Sequence, residues 1–490
     1  MKTLSFFILG IATALLFPPF FFFPLGFIVF PILCFIIEKN YKNKFINLWL
    51  EIFIYGIGFF GSLLFWIQNP FFVIQETSNI FFISFLFILI ISIIFSFIFN
   101  ILIILITFLP TIFLVPLIFV SFEIIISVLA YGFPWITFSL ISSNVSFLSF
   151  SIKNFGTLIN SYLIIQIFCL PFLFFSNIFD KKYLYLFFSI VVIPLITVLF
   201  INNVISKNVT YGEKKLNLEI FQINKNIALS SESNDLLLLE ILNLISKSNA
   251  DILLFAENNY PFLIKDINFQ HIKKKLKNNQ SVIIGGTRFD NNSYYNTLFY
   301  ISKYNTKYFD KKILVPFGEF LPFRKYLQFF TPISGENDFK SGNSKRLVEI
   351  SKNLNFIPVV CYEIIFYWKL INQNNLDSNF IINITNDIWF GDLLGPYQHL
   401  YLTKLRAIEF NKPIIRVSNN GISSIIDKDG NLISKIRLNE KKSINTSLDV
   451  RNTKSFYYSH KYLNWYFSFI VLIIMFITLK KLYEKKRNYL

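Results

Sequence analysis

Cysteine and histidine are scarce in this sequence, which has three of each among 490 residues. Cys34 and Cys169 lie inside long apolar runs, so Cys361 is the one cysteine of the polar part of the chain. A disulfide framework therefore cannot form in that part. A closed zinc site needs about four ligands, and the spacing of these few cysteines and histidines supports no metal site and indicates no cofactor.

Acidic residues are also few, since 29 Asp and Glu stand against 46 Lys and Arg, a formal net charge of +17. Such an excess could indicate nucleic-acid binding. The basic residues, however, are mostly lysines scattered among asparagines rather than arginines gathered into a stripe. We therefore interpret them as a solvated surface and expect no nucleic-acid partner.

Apolar side chains are abundant: 54% of the residues are hydrophobic and 19% are aromatic. Residues 1–202 are an almost unbroken series of Phe, Ile and Leu, whereas residues 203–463 have the mixed polarity of a globular domain. A helix that crosses a bilayer needs about 20 apolar residues. This length predicts a polytopic α-helical membrane protein with about eight transmembrane helices, at residues 4–17, 20–38, 50–67, 79–98, 100–122, 155–176, 183–202 and 464–480.

The first of these segments also fits a signal peptide, because it is short and contains the small-residue pattern Ala12-Thr13-Ala14. A retained anchor is the simpler interpretation, since another hydrophobic segment follows within a few residues.

The charge of the loops predicts the orientation, because Lys and Arg are retained on the cytoplasmic side. Residues 38–44, 180–182 and 480–487 are basic, whereas 68–79 contain no Lys or Arg. If all eight segments span, both termini are cytoplasmic and the polar domain lies outside. We expect an N-terminal transmembrane domain of about seven helices (1–202), an extracytoplasmic domain (203–463), and a last helix with a basic cytoplasmic tail (464–490).

Residues 203–463 alternate between strand-like and helical patterns, which favours an α/β layered domain. Helices are predicted at 233–248 and 397–411. Strands, rich in β-branched and aromatic residues, are predicted at 216–223, 251–257, 281–289, 296–301, 357–363, 380–387, 414–419 and 423–430.

Cys361 ends the apolar run FIPVVC and is followed by Tyr362 and Glu363. The end of a strand commonly carries binding and catalytic groups, although a buried structural cysteine is the plain alternative. Glu257 also ends an apolar strand, and Lys311 and Glu319 flank a Pro-Gly loop.

These residue types are sufficient for nucleophilic catalysis. A thiol needs a base or a positive neighbour to become a thiolate. A glutamate whose pKa is raised by desolvation can act as that base, and a lysine can stabilise an oxyanion. Of the three histidines, His399 is the plausible partner for a Cys-His enzyme, the alternative being a structural role or a position at the edge of the substrate site.

Several motifs occur in the order found in the nitrilase superfamily: FAE (255–257), DKKILVPFGEFLP (310–322), VVCYEI (359–364), NITNDIWFG (383–391), GPYQHLYLTKLRAIE (395–409) and RVSNNGIS (416–423). Together with GFPW (132–135), they make the chain resemble the membrane-embedded branch, the apolipoprotein N-acyltransferases. The resemblance implies a nitrilase-like αββα sandwich, also called a CN hydrolase domain.

The resemblance also implies residue roles. Glu257 would be the general base, Lys311 the oxyanion stabiliser and Cys361 the nucleophile. Glu319 would support the site, and the substrate cleft would be shaped by Tyr362, Glu363 and Trp389.

The chain departs from the family pattern at three places that concern substrate positioning. Phe255-Ala256 replace a common Trp-Pro, Ile313 replaces a frequent His, and residues 221–233 lack a usual Trp.

The implied reaction moves an acyl chain from a phospholipid, through a cysteine thioester, to the α-amino group of a diacylglyceryl-apolipoprotein at the bacterial inner membrane. Two alternatives remain. A membrane-tethered amidase or nitrilase would keep the same three residues, and a non-catalytic membrane binding or transport protein would not need them.

Overall fold

The computed structural model describes residues 2–41, 45–73, 81–105, 111–175, 214–225 and 231–450. They divide into two units, each with its own contacts: residues 2–65 and 82–175 form the first, and residues 66–73 and 214–450 belong to the second. The predicted helices at 183–202 and 464–480 lie outside the described residues.

The described helices are α1 (Lys2–Ala14), α2 (Gly26–Tyr41), α3 (Phe45–Leu63), α4 (Pro70–Val73), α5 (Phe81–Leu105), α6 (Thr111–Val128), α7 (Ser139–Ser142), α8 (Ser146–Phe168), α9 (Leu170–Phe175), α10 (Ser231–Lys247), α11 (Gln270–Lys273), α12 (Thr331–Ser334), α13 (Tyr367–Leu370) and α14 (Gly395–Phe410). Short 3-10 helices span Phe23–Leu25, Phe65–Gln68, Gln328–Phe330, Cys361–Ile365 and Asp387–Phe390.

Three helices of the first unit are long and apolar enough to cross a membrane: Ile46–Leu63, Phe82–Leu102 and Thr111–Val128. They overlap the predicted segments at 50–67, 79–98 and 100–122. Within the described part of the chain, length and composition therefore support three of the eight predicted spans. The segment Thr3–Ala14 is apolar but shorter.

Helices α1 and α3 approach each other closely because glycines stand at their contact. A Cβ at Gly10 would lie 2.2 Å from the carbonyl oxygen of Tyr55, and one at Gly58 would lie 2.3 Å from that of Phe7. Small residues allow such backbone contact between apolar helices. The hydroxyl groups of Thr13 and Tyr55 add a buried hydrogen bond of 3.0 Å.

A buried carboxylate fastens the segment that follows GFPW in the first unit. Glu123 of α6 accepts hydrogen bonds from the backbone N–H of Phe138 (2.8 Å) and from the hydroxyl of Ser161 (3.0 Å). A polar group in an apolar environment needs such partners. The two hydrogen bonds of Glu123 therefore hold this non-helical stretch against α6 and α8.

The second unit contains two six-stranded sheets. Their strands are β1 (Lys214–Gln222), β2 (Ile252–Phe255), β3 (Ser281–Asp290), β4 (Ser293–Ser302), β5 (Thr306–Asp310), β6 (Val348–Ser351), β7 (Leu354–Val360), β8 (Phe380–Thr385), β9 (Ile414–Ser418), β10 (Ser423–Ile426), β11 (Leu432–Ile436) and β12 (Lys442–Val450). The orders are β12-β1-β2-β3-β4-β5 and β11-β10-β9-β8-β7-β6. Strands β1, β2 and β3 are parallel, as are β7, β8 and β9, and the other neighbours are antiparallel.

The two sheets pack face to face. One apolar cluster takes side chains from both, such as Leu218 and Ile220 of β1 with Phe356 of β7 and Ile382 of β8. The opposite face of the first sheet packs against α10 through Leu237, Ile241 and Ile245 in a second cluster. These three residues recur every four positions, which places them on one face of the helix. The domain has the nitrilase-like sandwich architecture.

Each of the eight predicted strands and both predicted helices of this unit overlap an observed element of that type, but the predicted strands 357–363, 380–387 and 423–430 end earlier, at Val360, Thr385 and Ile426, where 3-10 helices or a turn follow. Four strands were not predicted: β5, β6, β11 and β12. They are short or alternate with polar residues, as in KSINTSLDV of β12, so their composition resembles that of loops.

Candidate active site

The predicted catalytic side chains lie at the ends of strands from both sheets. Glu257 follows β2, Lys311 follows β5 and Cys361 follows β7. Lys311 Nζ is 3.7 Å from Glu257 Oε1, and the charges of Glu257 and Lys311 both act on the pKa of the Cys361 thiol. The three groups, more than 100 residues apart at the extremes, are thus neighbours in the domain.

Glu257 is almost fully buried, and a glycine makes room for its backbone. A Cβ on Gly285 of β3 would lie 2.6 Å from the Cα of Glu257. Burial raises the pKa of Glu257, and the charge of Lys311 lowers it in part. The result is a carboxylate with a pKa above its usual value, which suits a general base near neutral pH.

A second carboxylate and an amide complete the surroundings of Lys311. Glu319 Oε2 lies 2.8 Å from Lys311 Nζ. The Nδ2 group of Asn296, on β4, donates to Glu257 Oε1 at 2.7 Å and to Glu319 Oε1 at 2.6 Å. Burial alone would lower the pKa of Lys311, but Glu319 and Glu257 raise it overall, so the amine stays protonated. One cation therefore sits between two carboxylates that share one amide donor.

Cys361 has an unusual backbone, with φ of +50°. This left-handed region is uncommon for residues other than glycine and is typical of functional sites. Burial raises the pKa of the Cys361 thiol well above its usual value, and the charge of Glu257 raises it further, whereas Lys311 lowers it. At rest the sulfur is therefore a thiol.

The three residues expected to shape a cleft have different environments. Glu363 is fully buried and paired with Arg346, whose NH2 lies 2.7 Å from Glu363 Oε1. Any effect of Glu363 on a cleft therefore passes through the backbone that it binds. Tyr362 is buried against Phe366, with ring centroids 5.2 Å apart. Trp389 is half-buried in the 3-10 helix Asp387–Phe390.

His399 faces Asp387 through Nδ1, at 2.9 Å from Oδ1. Burial and the neighbouring Arg416 lower the pKa of His399. Because Glu257 is close enough to change the pKa of the Cys361 thiol, whereas Nδ1 of His399 is turned to Asp387, Glu257 is better placed than His399 to act as a base.

The sequence predicted residues 66–67 as the end of the transmembrane segment 50–67 and residues 68–73 as part of the neutral loop 68–79, but the helix ends at Leu63. Segment 66–73 belongs to the second unit, where Trp66 Nε1 donates to Gln398 Oε1 at 3.0 Å and Asn69 Nδ2 donates to the carbonyl of Phe390 at 2.9 Å. It therefore supports the turn that carries Trp389. Nothing in QNP (68–70) by itself indicates a contact with residues 320 positions away.

The described part of the second unit offers amine, amide, carboxylate and thiol groups but no metal-binding cluster. Across the described ranges, no group of three or more His, Cys, Asp or Glu side chains could hold a metal ion. The chemistry available from these residues is proton transfer, nucleophilic attack by sulfur, and stabilisation of an oxyanion by an ammonium group.

Comparison with known proteins gives matches along both parts of the chain. A family model described as the apolipoprotein N-acyltransferase N-terminal domain matches residues 9–170, and one described as carbon-nitrogen hydrolase matches residues 220–458. An apolipoprotein N-acyltransferase of Rickettsia typhi is 31% identical over 459 residues, which is 89% of each chain.

Other matches are shorter. An apolipoprotein N-acyltransferase of Rickettsia prowazekii is 37% identical over 203 residues, 39% of this chain and 40% of that one. A solved CN-hydrolase superfamily protein of Xanthomonas campestris is 17% identical, with a TM-score of 0.38, over 48% of this chain and 91% of its own.

Proposed function

Because the chain belongs to the apolipoprotein N-acyltransferase family, we propose that it moves a fatty acyl group from a membrane phospholipid to an apolipoprotein. The acceptor is the α-amino group of the N-terminal diacylglyceryl-cysteine. The observation that carries the proposal is the buried thiol of Cys361, whose pKa responds to the charges of Glu257 and Lys311, a pair 3.7 Å apart.

In the first step Glu257 takes the proton of the Cys361 thiol, and the sulfur attacks the ester carbon of the phospholipid. Lys311 and a nearby backbone N–H stabilise the tetrahedral oxyanion. The ester C–O bond then breaks, and protonated Glu257 returns the proton to the leaving lysophospholipid oxygen. The enzyme is left with an acyl thioester on Cys361.

In the second step the neutral α-amine of the acceptor attacks the thioester, and Glu257 receives the amine proton. The C–S bond breaks, the thiol is restored, and the product is a triacylated lipoprotein. Splitting the transfer through a covalent intermediate implies ping-pong kinetics. Because the acceptor amine must be neutral, the rate rises on the alkaline side of neutrality.

The proposed setting is the bacterial inner membrane. A transmembrane domain of about seven helices (1–202) and a last helix within 464–490 hold the catalytic domain (203–463) on the extracytoplasmic side, with both termini in the cytoplasm. The three described membrane-length helices and the basic stretches support this arrangement. Glu319, Tyr362, Glu363 and Trp389 complete the proposed site as supporting residues.

The deciding experiment is the intact mass of detergent-purified protein after exposure to phospholipid, before and after hydroxylamine. An added fatty-acyl mass that hydroxylamine removes, and that Cys361→Ala lacks, is the expected result. Cys34→Ala is the matched control, since Cys34 is buried among apolar helices, and it keeps the adduct.

Kinetics with both substrates test the two-step order. Double-reciprocal plots at several phospholipid concentrations are expected to be parallel, and converging lines would exclude the ping-pong scheme. If no acyl adduct forms with any of several lipids and small amides release ammonia, the acyltransferase proposal fails. The protein would then be a membrane-tethered amidase.

A further inference from the structure

Thr385 stands beside the sulfur of Cys361 because two parallel strands end together. Val360 of β7 is paired with Ile384 of β8, so the next residues, Cys361 and Thr385, the last residue of β8, stand side by side. Thr385 Oγ1 lies 3.2 Å from Cys361 Sγ. Both side chains are buried.

The same hydroxyl faces a carboxylate. Thr385 Oγ1 lies 2.9 Å from Asp387 Oδ1. A hydroxyl carries one proton, so Thr385 can donate to Asp387 or to the sulfur of Cys361, but not to both at once.

Asp387 does not depend on Thr385 for its charge. Arg416 NH2 lies 2.5 Å from Asp387 Oδ2, and His399 Nδ1 lies 2.9 Å from Asp387 Oδ1. Burial would raise the pKa of Asp387, but Arg416 and His399 hold it well below its usual value. Asp387 thus keeps its ion pair with Arg416 when the hydroxyl of Thr385 turns away.

We propose that Thr385 is a catalytic residue whose hydroxyl changes acceptor during the reaction, from Asp387 while Cys361 is a thiol to the sulfur when it becomes a thiolate. The proposal rests on the proposed function for the identity of the nucleophile. When Glu257 takes the S–H proton, the sulfur gains a lone pair and loses its donor role. The O–H bond of Thr385 stays intact, and only its direction changes.

The charges around the sulfur make this donor valuable. Burial and the anions Glu257 and Asp387 oppose formation of the thiolate, whereas Lys311 and the hydrogen bond from Thr385 favour it. A hydrogen bond to a charged group is stronger than one between neutral groups. Without the hydroxyl of Thr385, the charge of Lys311 is left to favour the thiolate of Cys361.

The test measures the pH dependence of Cys361 alkylation by iodoacetamide in the full-length, detergent-purified enzyme, followed by intact mass. Cys361→Ala gives the background from Cys34 and Cys169. Thr385→Val, which has nearly the same shape, is expected to displace the profile to higher pH by about one unit, equivalent to about tenfold slower alkylation below the midpoint. Acyl-enzyme formation slows by a similar factor.

Thr385→Ser keeps the hydroxyl and is expected to restore most of the reactivity, which a purely structural role of the methyl group would not. Thr446→Val, on the outermost strand β12, is the matched control. If Thr385→Val does not fold, Thr385→Ala makes the same comparison.

The outcomes separate this proposal from the proposed function. Alkylation profiles of Thr385→Val and Thr385→Ala that coincide with the wild-type profile would overturn the role of Thr385, even if phospholipid acylates Cys361. A displaced profile in an enzyme that phospholipid does not acylate would support the role of Thr385 and remove the acyl donor from the scheme.

Discussion

The ammonium nitrogen of Lys311 lies 2.8 Å from Glu319 Oε2. Its distance to Glu257 Oε1 is 3.7 Å, so Glu319 is the closer counter-ion. The charge of Glu319 raises the pKa of Glu257, in addition to the larger effect of burial. The two carboxylates therefore have different roles. Glu319 is the main counter-ion of Lys311, and Glu257 keeps a raised pKa, which makes it the stronger base.

Glu319→Gln is expected to weaken that base. Without the negative charge of Glu319, Lys311 pairs with Glu257 and the pKa of Glu257 falls. Acyl-enzyme formation slows about tenfold or more, and the acid limb of its pH profile moves to lower pH. Rates measured by intact mass across the pH range check this, with Glu336→Gln, exposed on the surface, as control. An acid limb at higher pH would contradict the division of roles.

Asn296→Leu is expected to move the acid limb of the pH profile of acyl-enzyme formation to higher pH. The amide donates to Glu257 at 2.7 Å and thereby lowers the pKa of Glu257. Its loss raises this pKa further, so Glu257 stays protonated up to a higher pH. The rate at low pH falls, while the rate on the alkaline side changes less. Asn305→Leu, in the exposed turn after β4, should leave the profile in place.

Lys311→Met removes the proposed oxyanion stabiliser. We expect acyl-enzyme formation to slow about 100- to 1000-fold, because the amine is the cation next to the base and the sulfur. Lys312→Met is the control, since its side chain is only half-buried and its hydrogen bond to Glu363 is made by the backbone N–H, which the variant keeps. Equal acylation rates in both variants would remove Lys311 from the mechanism.

Sequence reasoning located Glu257, Lys311, Glu319 and Cys361, because each follows an apolar strand or flanks a recognisable loop. It missed Asn296, which lies inside a strand and belongs to no motif that the chain carries. A buried asparagine in the apolar run NTLFYI was the available signal.

The hydrogen-bond network of Thr385, Asp387 and Arg416 beside Cys361 was missed for a different reason. Thr385 and Asp387 lie within NITNDIWFG, and Arg416 begins RVSNNGIS, so their positions were noted but their contacts were not. Which strands pair, and in which register, depends on tertiary packing that the residues of one strand do not specify. The same limit applies to Trp66 and Asn69, whose partners lie more than 300 residues away.

Glu363 is held by more partners than a cleft residue would need. Its carboxylate accepts hydrogen bonds from Arg346 and from the backbone N–H groups of Val360 (3.0 Å), Lys312 (2.8 Å) and Ile313 (3.1 Å). The side chain thus ties the strand before Cys361 to the loop after Lys311. Glu363 would therefore contribute to catalysis by fixing the distance between these two segments.

Breaking the ion pair between Arg346 and Glu363 is expected to destabilise the domain and to move the segments of Cys361 and Lys311 apart. Burial would raise the pKa of Glu363, but Arg346 and the backbone donors hold it below its usual value. The stabilisation is therefore complete above about pH 4.5 and is lost as the pH falls through the folded-state pKa. Near neutral pH, Arg346→Met leaves a buried charge unpaired and should cost about 3–5 kcal/mol, a loss that becomes smaller in acid.

Thermal unfolding in detergent at several pH values measures this loss, and the double variant Arg346→Met with Glu363→Leu identifies its cause. The double variant removes the unpaired charge but leaves the three backbone donors unsatisfied, so it should recover stability only in part. Full recovery of stability without activity would mean that Glu363 acts by spacing Cys361 and Lys311. Full recovery of both would mean that the ion pair is dispensable, and the spacing role would then fall to the strands themselves.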